Sequence, residues 1–236
     1  MPRGLRAILL PGLDGTGRLF DPLLTELPND LLAKVVSYPT DAILEYAALE
    51  RLIEVALPKH DPFIIVAESF SGPLAIRLAA RRMSGLIGLV LAGTFVQRPV
   101  PLPRAAITEY VLRLALSPLF VRYFLAGTDA PDALIGETLS ALRSVSPAVL
   151  VHRARQALTV DVTTEFARCA TPILYLQGTR DRPVRPRVVA HLRRLRADLA
   201  CVPLDAPHFV FQRRPAEAAD AIARFIASNR LDASIP

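Results

Sequence analysis

Short apolar runs and longer amphipathic stretches alternate along the first part of the chain. The third apolar run holds three β-branched residues in a row, Ile64, Ile65 and Val66, which favour extended backbone. Runs of this length predict strands at residues 6–10, 33–37, 63–67 and 86–92, of which the first is predicted to be buried. The stretches between them have helical periodicity, at residues 18–27, 43–57 and 70–83.

The same alternation returns in the last part of the chain, after a long gap. Two further strands are predicted at residues 172–177 and 199–204, and two helices at residues 184–195 and 215–228. Strands that alternate with helices form parallel sheets, because right-handed crossover connections place the helices on both faces. The sequence therefore predicts an α/β fold with a mainly parallel sheet.

Residues 97–170, which we call the insert, interrupt this alternation and contain no convincing strand. Residues 105–125 are strongly apolar with helical spacing, although Pro118 is expected to interrupt the helix. Two more helices are predicted at residues 131–144 and 147–158. Because the insert is far longer than one crossover requires, it is predicted to form a helical cap over the strand ends rather than ordinary crossover helices. The predicted α/β core is then formed by residues 1–96 and 171–236.

Composition fits a folded domain with a large core. Of the 236 residues, 52% are hydrophobic and 21% are charged, which excludes a disordered chain. The net charge is +6, but no aromatic residues are interleaved with the scattered arginines, so nucleic acid is not a predicted partner. The densest basic group is Arg193, Arg194 and Arg196 on one predicted helix. A solvated face is its first interpretation, and contact with an acidic partner or a membrane surface is the alternative.

Cysteine usage and the length of the apolar runs indicate the compartment. Cys169 and Cys201 lie at or near predicted strands and are expected to be free thiols. Neither has neighbours at metal-ligand spacing, and the sequence predicts no metal site and no cofactor. The apolar run after the basic N-terminus is too short for a signal peptide, and no run reaches the roughly 18 residues of a membrane span. A soluble cytoplasmic protein is expected, of unassigned oligomeric state.

Ser69 stands where the third predicted strand ends and a helix begins, in the run VAESFSG. The residues two before and two after it, Ala67 and Ser71, are small. A tight strand-to-helix turn needs small residues at these positions, because larger side chains would collide with neighbouring backbone. The helix that follows offers backbone N–H groups and the positive end of its dipole. Ser69 is therefore the candidate nucleophile of a serine hydrolase.

A serine nucleophile needs a base within hydrogen-bond reach, and the chain has four histidines. His60 precedes a strand at the opposite end, His152 lies in the insert, and His191 lies inside a predicted helix. His208 follows the last strand, at the carboxyl ends where open α/β sheets bind their ligands. A lone histidine is often structural, but only this one lies on a loop at the same edge as the candidate nucleophile. His208 is therefore the predicted base.

Asp181 is the predicted acid that orients His208. It follows the fifth strand in a loop at the same edge, where a carboxylate can accept the imidazole N–H and fix the tautomer. The alternative role for Asp181 is to cap the helix predicted to begin near Val184. Asp205 competes for the acid position, but it lies at a strand end only three residues before His208 and is expected to shape the loop.

Acyl transfer also needs hydrogen-bond donors for the oxyanion that develops in the transition state. The backbone N–H of Phe70, directly after the candidate nucleophile, is one predicted donor. The other is the N–H of Leu13, in the glycine-rich loop PGLDGTG that follows the first strand. A phosphate-binding loop is the alternative, but the Gly-Lys-Ser/Thr ending of a P-loop and the spacing of a dinucleotide site are both missing.

Together these motifs resemble those of the α/β-hydrolase superfamily, over nearly the whole chain from Ile8 to Phe225. The run PGLDG resembles the superfamily's H-G-x-x-G oxyanion loop, AESFS its nucleophile elbow, GTRD its acid loop and APHF its histidine loop. The chain order serine, aspartate, histidine is also that of the superfamily. The compact size and helical insert are similar to carboxylesterases of the pimeloyl-ester-hydrolase type.

The sequence departs from the superfamily pattern at three points, and each departure has an expected structural consequence. Pro11 stands in place of the loop histidine, so side-chain support of the oxyanion loop is expected to be lost. Ala67 and Ser71 replace the commoner glycines, and Ser71 places a hydroxyl near the nucleophile. Few residues precede the first strand, so the two usual leading strands are missing. The resemblance therefore implies a reduced sheet of about six strands, in the order second, first, third, fourth, fifth, sixth.

The predicted activity is hydrolysis of a small carboxylic ester through an acyl-enzyme intermediate. An acyltransferase or thioesterase with the same triad is the nearest alternative, and a non-catalytic hydrolase scaffold that binds a ligand or a protein is an alternative from another class. Dehalogenase and epoxide hydrolase chemistry is disfavoured, because those relatives carry aspartate at the elbow. Apolar insert residues are predicted either to line the substrate pocket or to pack against the sheet: Leu112, Leu116, Leu119, Phe120 and Phe124.

Overall fold

The computed structural model describes residues 4–59 and 61–232, so His60 lies outside the described residues. The sheet has six parallel strands: β1 (Arg6–Leu10), β2 (Leu32–Val35), β3 (Phe63–Glu68), β4 (Leu86–Ala92), β5 (Ile173–Gly178) and β6 (Ala200–Leu204). Their order is β2-β1-β3-β4-β5-β6. The predicted α/β fold, the reduced six-stranded sheet and its strand order are therefore confirmed.

The order of the strands reverses beside β3. From β1 the chain crosses to β2 on one side and then to β3 on the other. Strand ends on either side of such a reversal leave a crevice in which ligands bind. Leu10 at the end of β1 pairs with Ala67 near the end of β3, so the loops that follow these strands emerge side by side.

Helices surround the sheet and fill the insert. Those in the described residues are α1 (Asp21–Glu26), α2 (Tyr46–Ala56), α3 (Gly72–Ala80), α4 (Glu109–Ala115), α5 (Pro118–Phe120), α6 (Asp132–Arg143), α7 (Pro147–Ala157), α8 (Thr163–Arg168), α9 (Val188–Leu195), α10 (Val210–Arg213) and α11 (Pro215–Asp232). Single 3₁₀ turns occur at Arg18–Phe20, Ser69–Ser71 and Arg104–Ala106, and a π-helical turn continues α5 over Val121–Ala126.

Two helical layers cover the sheet, one on each face. Both layers pack against β3, which is apolar from Phe63 to Ala67. Phe63, Ile65 and Ala67 belong to the cluster that α2, α3, α8 and α9 complete. Ile64 and Val66 belong to the cluster on the other face, formed with α1, α10 and α11. A strand buried on both faces needs no alternation of polar and apolar positions, which is why residues 63–67 predicted a strand without it.

Helix boundaries differ from the predicted ones where prolines or short elements intervene. The helix predicted from residue 184 begins only at Val188, after Pro183 and Pro186, which each remove a backbone N–H from this stretch. The sequence analysis missed α8 and α10. These helices have six and four residues, too few for a periodic pattern to be recognised.

The insert contains α4 to α8 and no strand, with one isolated bridge between Gln97 and Asp161. Val160, Val162 and Phe166 join the cluster on one face of the sheet, and two further clusters include other apolar residues of the insert. One includes Val121 together with Phe209, which follows His208. The other includes residues of α4, α6 and α7, and the Leu13 side chain packs against it. The insert therefore lies against the loops that follow β1 and β6.

The solvated face predicted for the densest basic group does not include Arg196. Arg193 and Arg194 are exposed, as a solvated face requires. Arg196 instead is buried, and its guanidinium donates to the carbonyls of Cys169 at 2.6 Å and Thr171 at 3.1 Å. Its position at the end of α9 places it against the loop before β5 rather than toward solvent.

The described residues include a helix of 18 residues, α11, and two cysteines. No single helix there is long and apolar enough to cross a membrane. No group of three or more His, Cys, Asp or Glu residues in this part of the chain is placed to hold a metal ion. Cys169 and Cys201 are both free, and Cys169 is buried.

Candidate active site

Ser69 lies at a sharp turn between β3 and α3. Its φ of 47° falls in the left-handed region, which a non-glycine residue adopts only where its surroundings hold it there. Thr94 Oγ1 donates to the Ser69 carbonyl at 2.6 Å. Helix α3 begins at Gly72, where an added Cβ would lie only 1.8 Å from the same Thr94 oxygen. The backbone therefore has the tight geometry of the predicted elbow, and it depends on a glycine three residues after the serine.

The three predicted triad residues meet at the carboxyl edge of the sheet. His208 Nε2 lies 2.9 Å from Ser69 Oγ, and His208 Nδ1 lies 2.9 Å from Asp181 Oδ2. The side chains of His208 and Asp181 are both buried. Three side chains from distant parts of the chain thus form one continuous hydrogen-bonded row.

Asp181 uses its two carboxylate oxygens for different partners. Oδ2 faces His208, while Oδ1 accepts from the Val184 N–H at 2.7 Å. The two sequence interpretations of Asp181, orienting acid and backbone cap, are therefore compatible. Because a carboxylate only accepts hydrogen bonds, it places the proton of His208 on Nδ1 and leaves Nε2 to accept from the Ser69 hydroxyl.

The competing candidates lie elsewhere. Asp205 Oδ1 accepts from Arg180 Nε at 2.7 Å on the exposed surface and makes no contact with His208. His152 lies on α7 with Nε2 3.3 Å from Glu45 Oε1, and His191 lies within α9. None of these residues contacts Ser69.

Two buried groups set the electrostatics around the candidate nucleophile. Burial lowers the pKa of His208, but the charge and hydrogen bond of Asp181 outweigh this and hold the pKa above its ordinary value of 6.5. Burial raises the pKa of Glu68 to about 7, although Gln212 Nε2 donates to its Oε1 at 3.1 Å. The Glu68 charge in turn contributes to the raised pKa of His208. The sequence analysis did not single out Glu68, although a carboxyl at the end of an apolar strand is an available signal.

The glycine-rich loop after β1 lies beside Ser69. A Cβ added at Gly12 would lie 4.0 Å from Ser69 Cβ. The Gly12 carbonyl accepts from the Gly15 N–H at 3.1 Å, and in a trans peptide the next N–H points the opposite way. That N–H belongs to Leu13, and it donates to no acceptor among the described residues.

Phe70, the residue after the candidate nucleophile, is fixed by the helix packed against it. Its ring is buried and stacks on Tyr46, with ring centroids 4.9 Å apart. The Tyr46 hydroxyl donates to the Phe70 carbonyl at 3.2 Å. The backbone that carries the Phe70 N–H is therefore held by α2 as well as by α3.

The expected loss of side-chain support for the loop is wrong. Ser71 Oγ donates to the Pro11 carbonyl, and the Tyr38 hydroxyl lies 2.6 Å from the same Ser71 oxygen. Arg153 Nη1 donates to the carbonyls of Leu13 at 3.1 Å and Asp14 at 2.7 Å. These contacts come from residues 38, 71 and 153, outside the loop, so the loop motif itself gives no sign of them.

The insert residues predicted to line a pocket occupy different environments. Leu112 is buried and Leu116 partly buried, in the cluster against which Leu13 packs. Phe120 and Phe124 stack with ring centroids 4.5 Å apart, and Leu119 is 79% exposed. Two surface grooves, one beside α11 and one beside α2 and α3, are lined by no triad residue. That these five residues contact substrate stays a prediction.

Known proteins with solved structures share this architecture. The bromoperoxidase of Bacillus anthracis has 15% sequence identity and a TM-score of 0.79, and the match covers 95% of this chain and 92% of that one. The enol-lactonase of Burkholderia xenovorans has 16% identity and a TM-score of 0.78, over 95% and 92% of the two chains. An esterase from Rhodococcus has 18% identity and a TM-score of 0.75, over 95% and 91%.

At these identities the structural matches establish the fold alone. No curated protein sequence matches the chain. The family model described as the alpha/beta hydrolase family matches residues 6–221, which is most of the chain. The chain therefore belongs to the alpha/beta hydrolase family.

Proposed function

We propose that this protein is a serine hydrolase that cleaves small carboxylic esters through an acyl-enzyme intermediate. The observation that carries the proposal is the continuous row from Ser69 through His208 to Asp181, with both contacts at 2.9 Å. A serine hydroxyl is a weak nucleophile, and an adjacent oriented imidazole is the group that activates it. A site used only to bind a ligand has no need of this arrangement.

Acylation follows from the roles of the three side chains. Ser69 Oγ attacks the ester carbonyl as His208 Nε2 takes its proton, and the tetrahedral oxyanion forms beside the loop after β1. The N–H groups of Leu13 and Phe70 stabilise that oxyanion. His208 then gives its proton to the leaving alcohol, while Asp181 stabilises the imidazolium and does not itself become protonated.

Deacylation repeats the sequence with water as the nucleophile. His208 removes a proton from water as the oxygen attacks the acyl carbon, and Ser69 leaves with that proton when the second tetrahedral intermediate collapses. An alcohol or amine in place of water makes the same site an acyltransferase, and a thioester donor makes it a thioesterase. Competition between water and added alcohols distinguishes the first of these activities from hydrolysis.

The substrate proposal is an ester with an apolar acyl or alcohol group. Leu112 and Leu116 pack in the cluster that includes the side chain of Leu13, whose N–H is a proposed oxyanion donor. Phe120, Phe124 and Leu119 lie further along the insert, and we propose that they contact the same apolar group. Similarity to the pimeloyl-ester-hydrolase type and a cytoplasmic location remain predictions from the sequence.

A panel of p-nitrophenyl esters of increasing chain length tests the proposal. Wild type should turn over the panel, and Ser69→Ala should lower kcat by roughly 10³–10⁶ with the fold retained by circular dichroism. Ser84→Ala is the matched control, because Ser84 is exposed in the turn before β4, at the other end of the sheet. Retention of turnover by Ser69→Ala contradicts the proposed function.

A further inference from the structure

Arg153 is a buried cation whose hydrogen bonds all go to main-chain carbonyls. It is 2% exposed on α7, and Nη1 donates to the Leu13 and Asp14 carbonyls while Nη2 donates to the Pro39 carbonyl at 2.8 Å. No carboxylate of the described residues forms an ion pair with it. Gly15 makes room for it, since a Cβ there would lie 2.5 Å from Arg153 Nη1.

The carbonyls that Arg153 binds belong to the loop beside the nucleophile. The peptide group before Leu13 is fixed by the Gly15 N–H, which binds the Gly12 carbonyl. The peptide group after Leu13 is fixed by Arg153, which binds the Leu13 carbonyl. With both flanking peptide groups held, the direction of the Leu13 N–H is held as well.

Packing alone does not account for an arginine at this position. A buried guanidinium loses hydration, and an apolar residue of similar volume fills the same space without that cost. Burial lowers the pKa of Arg153, which records the cost of desolvation. The guanidinium also lies 5.6 Å from the centre of the Tyr38 ring, and Tyr38 contacts Ser71, which binds the loop at Pro11. The Arg153 guanidinium is thus part of a contact network that reaches the Pro11 carbonyl through Tyr38 and Ser71.

We propose that Arg153 is a positioning residue that aims the Leu13 N–H at the oxyanion, in place of the support that a loop histidine gives. The proposal rests on the proposed hydrolase function for its effect on rate. Its structural part, that Arg153 orders residues 11–17, is independent of activity. The insert then contributes to catalysis through the oxyanion loop, besides any contact with substrate.

Arg153→Met and Arg153→Lys test the proposal, with Arg196→Met as the matched control. Arg196 is also buried and also donates to two main-chain carbonyls, but on the loop before β5. Arg153→Met should lower kcat about 10- to 100-fold with little change in KM, less than loss of a whole oxyanion donor. Arg153→Lys should recover part of this loss, and Arg196→Met should leave kcat per folded molecule unchanged.

Amide hydrogen exchange of the peptide that covers residues 11–17 provides a readout that needs no turnover. Exchange should be faster in Arg153→Met and unchanged in Arg196→Met. Unchanged exchange in Arg153→Met, or a loss of kcat that Arg196→Met matches, overturns the positioning role. Failure of the proposed function itself is distinct, because it removes ester turnover from wild type while the difference in exchange persists.

A second, independent observation concerns the outer face of the insert. Large apolar side chains are concentrated there: six of the ten that are exposed in the described residues lie between residues 109 and 124. We define the outer face by these six residues: Tyr110, Val111, Leu114, Leu119, Tyr123 and Phe124. Soluble monomers seldom expose so many large apolar groups in one short segment, which makes the outer face a candidate binding surface.

The charges around the outer face indicate what that partner is. Arg98, Arg104 and Arg113 are exposed and have no hydrogen-bond or ion-pair partner among the described residues. Glu109 is the one acidic residue between positions 98 and 124. Exposed aromatic and leucine side chains with unpaired arginines are the composition of helices that lie on anionic lipid. A two-fold contact between copies would instead place a net positive charge on both sides of the interface, which is unfavourable.

We infer that the outer face binds an anionic lipid surface. Insertion of the apolar side chains supplies the hydrophobic part of the binding, and the three arginines supply the attraction to lipid phosphates. Leu112, on the same helix as Tyr110 and Leu114, is buried in the cluster against which Leu13 packs, so a bound surface lies next to the candidate site. Under the proposed function, esters carried in that surface are the substrates; binding itself is independent of that function.

Co-sedimentation with vesicles tests this inference. Wild type should sediment with vesicles of phosphatidylcholine and phosphatidylglycerol, more weakly with phosphatidylcholine alone, and less at high salt. Tyr110→Ser combined with Leu114→Ser should lower the bound fraction at least about tenfold, since each removes buried apolar contact. Val55→Ser, at an 89% exposed position on α2, is the matched control and should bind as wild type.

Two results overturn the inference. One is an absence of binding to anionic vesicles by wild type, or equal loss of binding in the control. The other is a dimer in light scattering that the Tyr110→Ser and Leu114→Ser variant dissolves, which assigns the face to a second copy of the chain. Neither result bears on ester turnover, which is measured separately with dissolved substrates.

Discussion

The two sides of the insert differ in a way that their composition does not predict. Helix α7 contains two arginines, a histidine and a glutamine, yet Arg153 and Gln156 are among its buried residues. The stretch from 109 to 124 is far more apolar, yet Leu112 and Val121 are its only buried residues. Polar content therefore does not decide which side of the insert packs against the core.

Burial on each side of the insert depends on the hydrogen-bond partners that are available there. Beside α7 lies the main chain of the loops after β1 and β2, whose carbonyls accept from Arg153. Gln156 Nε2 similarly donates to the Leu44 carbonyl and to Glu45. The apolar side chains of the outer face remain exposed, although the Arg182 guanidinium lies 3.5 Å from the centre of the Tyr123 ring. The side of the insert that faces the candidate site is thus held by polar contacts, whereas the outer face is exposed.

The largest expected effect is the loss of kcat in Asp181→Asn, at the candidate site that the insert faces. Asp181→Asn keeps the shape and the acceptor for Val184, but its amide N–H₂ faces His208 Nδ1 and selects the wrong tautomer. We expect kcat to fall about 10⁴-fold, as for the loss of an orienting carboxylate in other triads. Asp205→Asn is the matched control, because Asp205 pairs with Arg180 on the surface. A small effect of Asp181→Asn, or an equal effect of Asp205→Asn, contradicts the assignment.

A leucine-to-alanine substitution on each side of the insert compares how much the two sides contribute to the free energy of unfolding. Leu150 on α7 is fully buried, whereas Leu114 on α4 is 58% exposed. Leu150→Ala should lower the free energy of unfolding by about 2–5 kcal/mol through loss of buried contacts and an unfilled cavity. Leu114→Ala should change it by no more than about 0.5 kcal/mol. Urea denaturation of both variants measures the difference, and similar losses for the two would show that the outer face is packed.

The smallest expected effect is a shift in pH dependence at Glu68. Ionised Glu68 raises the pKa of His208, so Glu68→Gln should lower that pKa and move the acid limb of kcat/KM to lower pH. Stability should respond as well. The pKa of Glu68 is about 7 when buried and 4.5 ordinarily, so the native state retains a proton between these values and loses stability as pH rises.

Glu68→Gln should flatten this pH dependence of stability between about pH 4.5 and 7. Denaturant unfolding at several pH values, with kcat/KM profiles of the same samples, provides the measurement. Glu54→Gln, at a partly exposed position on α2, is the control and should leave the acid limb of the rate profile in place. A rate profile that does not move in Glu68→Gln contradicts the electrostatic link to His208.

The sheet and the triad could be predicted from the sequence because their signals are local. Each strand is a short apolar run, and each triad residue directly follows a strand, so the parallel sheet brings them to one edge. The strained turn at Ser69 likewise follows from the small residues around it. The structure places Ser69, Asp181 and His208 in contact as this reasoning requires.

The support of the oxyanion loop could not be predicted in the same way. The Leu13 and Asp14 carbonyls lie 140 and 139 positions from Arg153, and no motif joins them. One sequence signal does exist: Arg153 lies three residues after Leu150, on the face of α7 that begins with Val149 and Leu150. A charged residue on a buried helix face needs hydrogen-bond partners, but the sequence does not say which loop supplies them.

Covalent labelling of Ser69 by a serine-directed phosphonate tests the central claim most directly. Mass spectrometry of the wild type should show a single adduct, on the peptide that contains Ser69. In His208→Gln the labelling rate should fall by several orders of magnitude, because no base removes the proton from Ser69 Oγ. No adduct on Ser69, or an equal labelling rate without His208, would contradict an activated serine at this site.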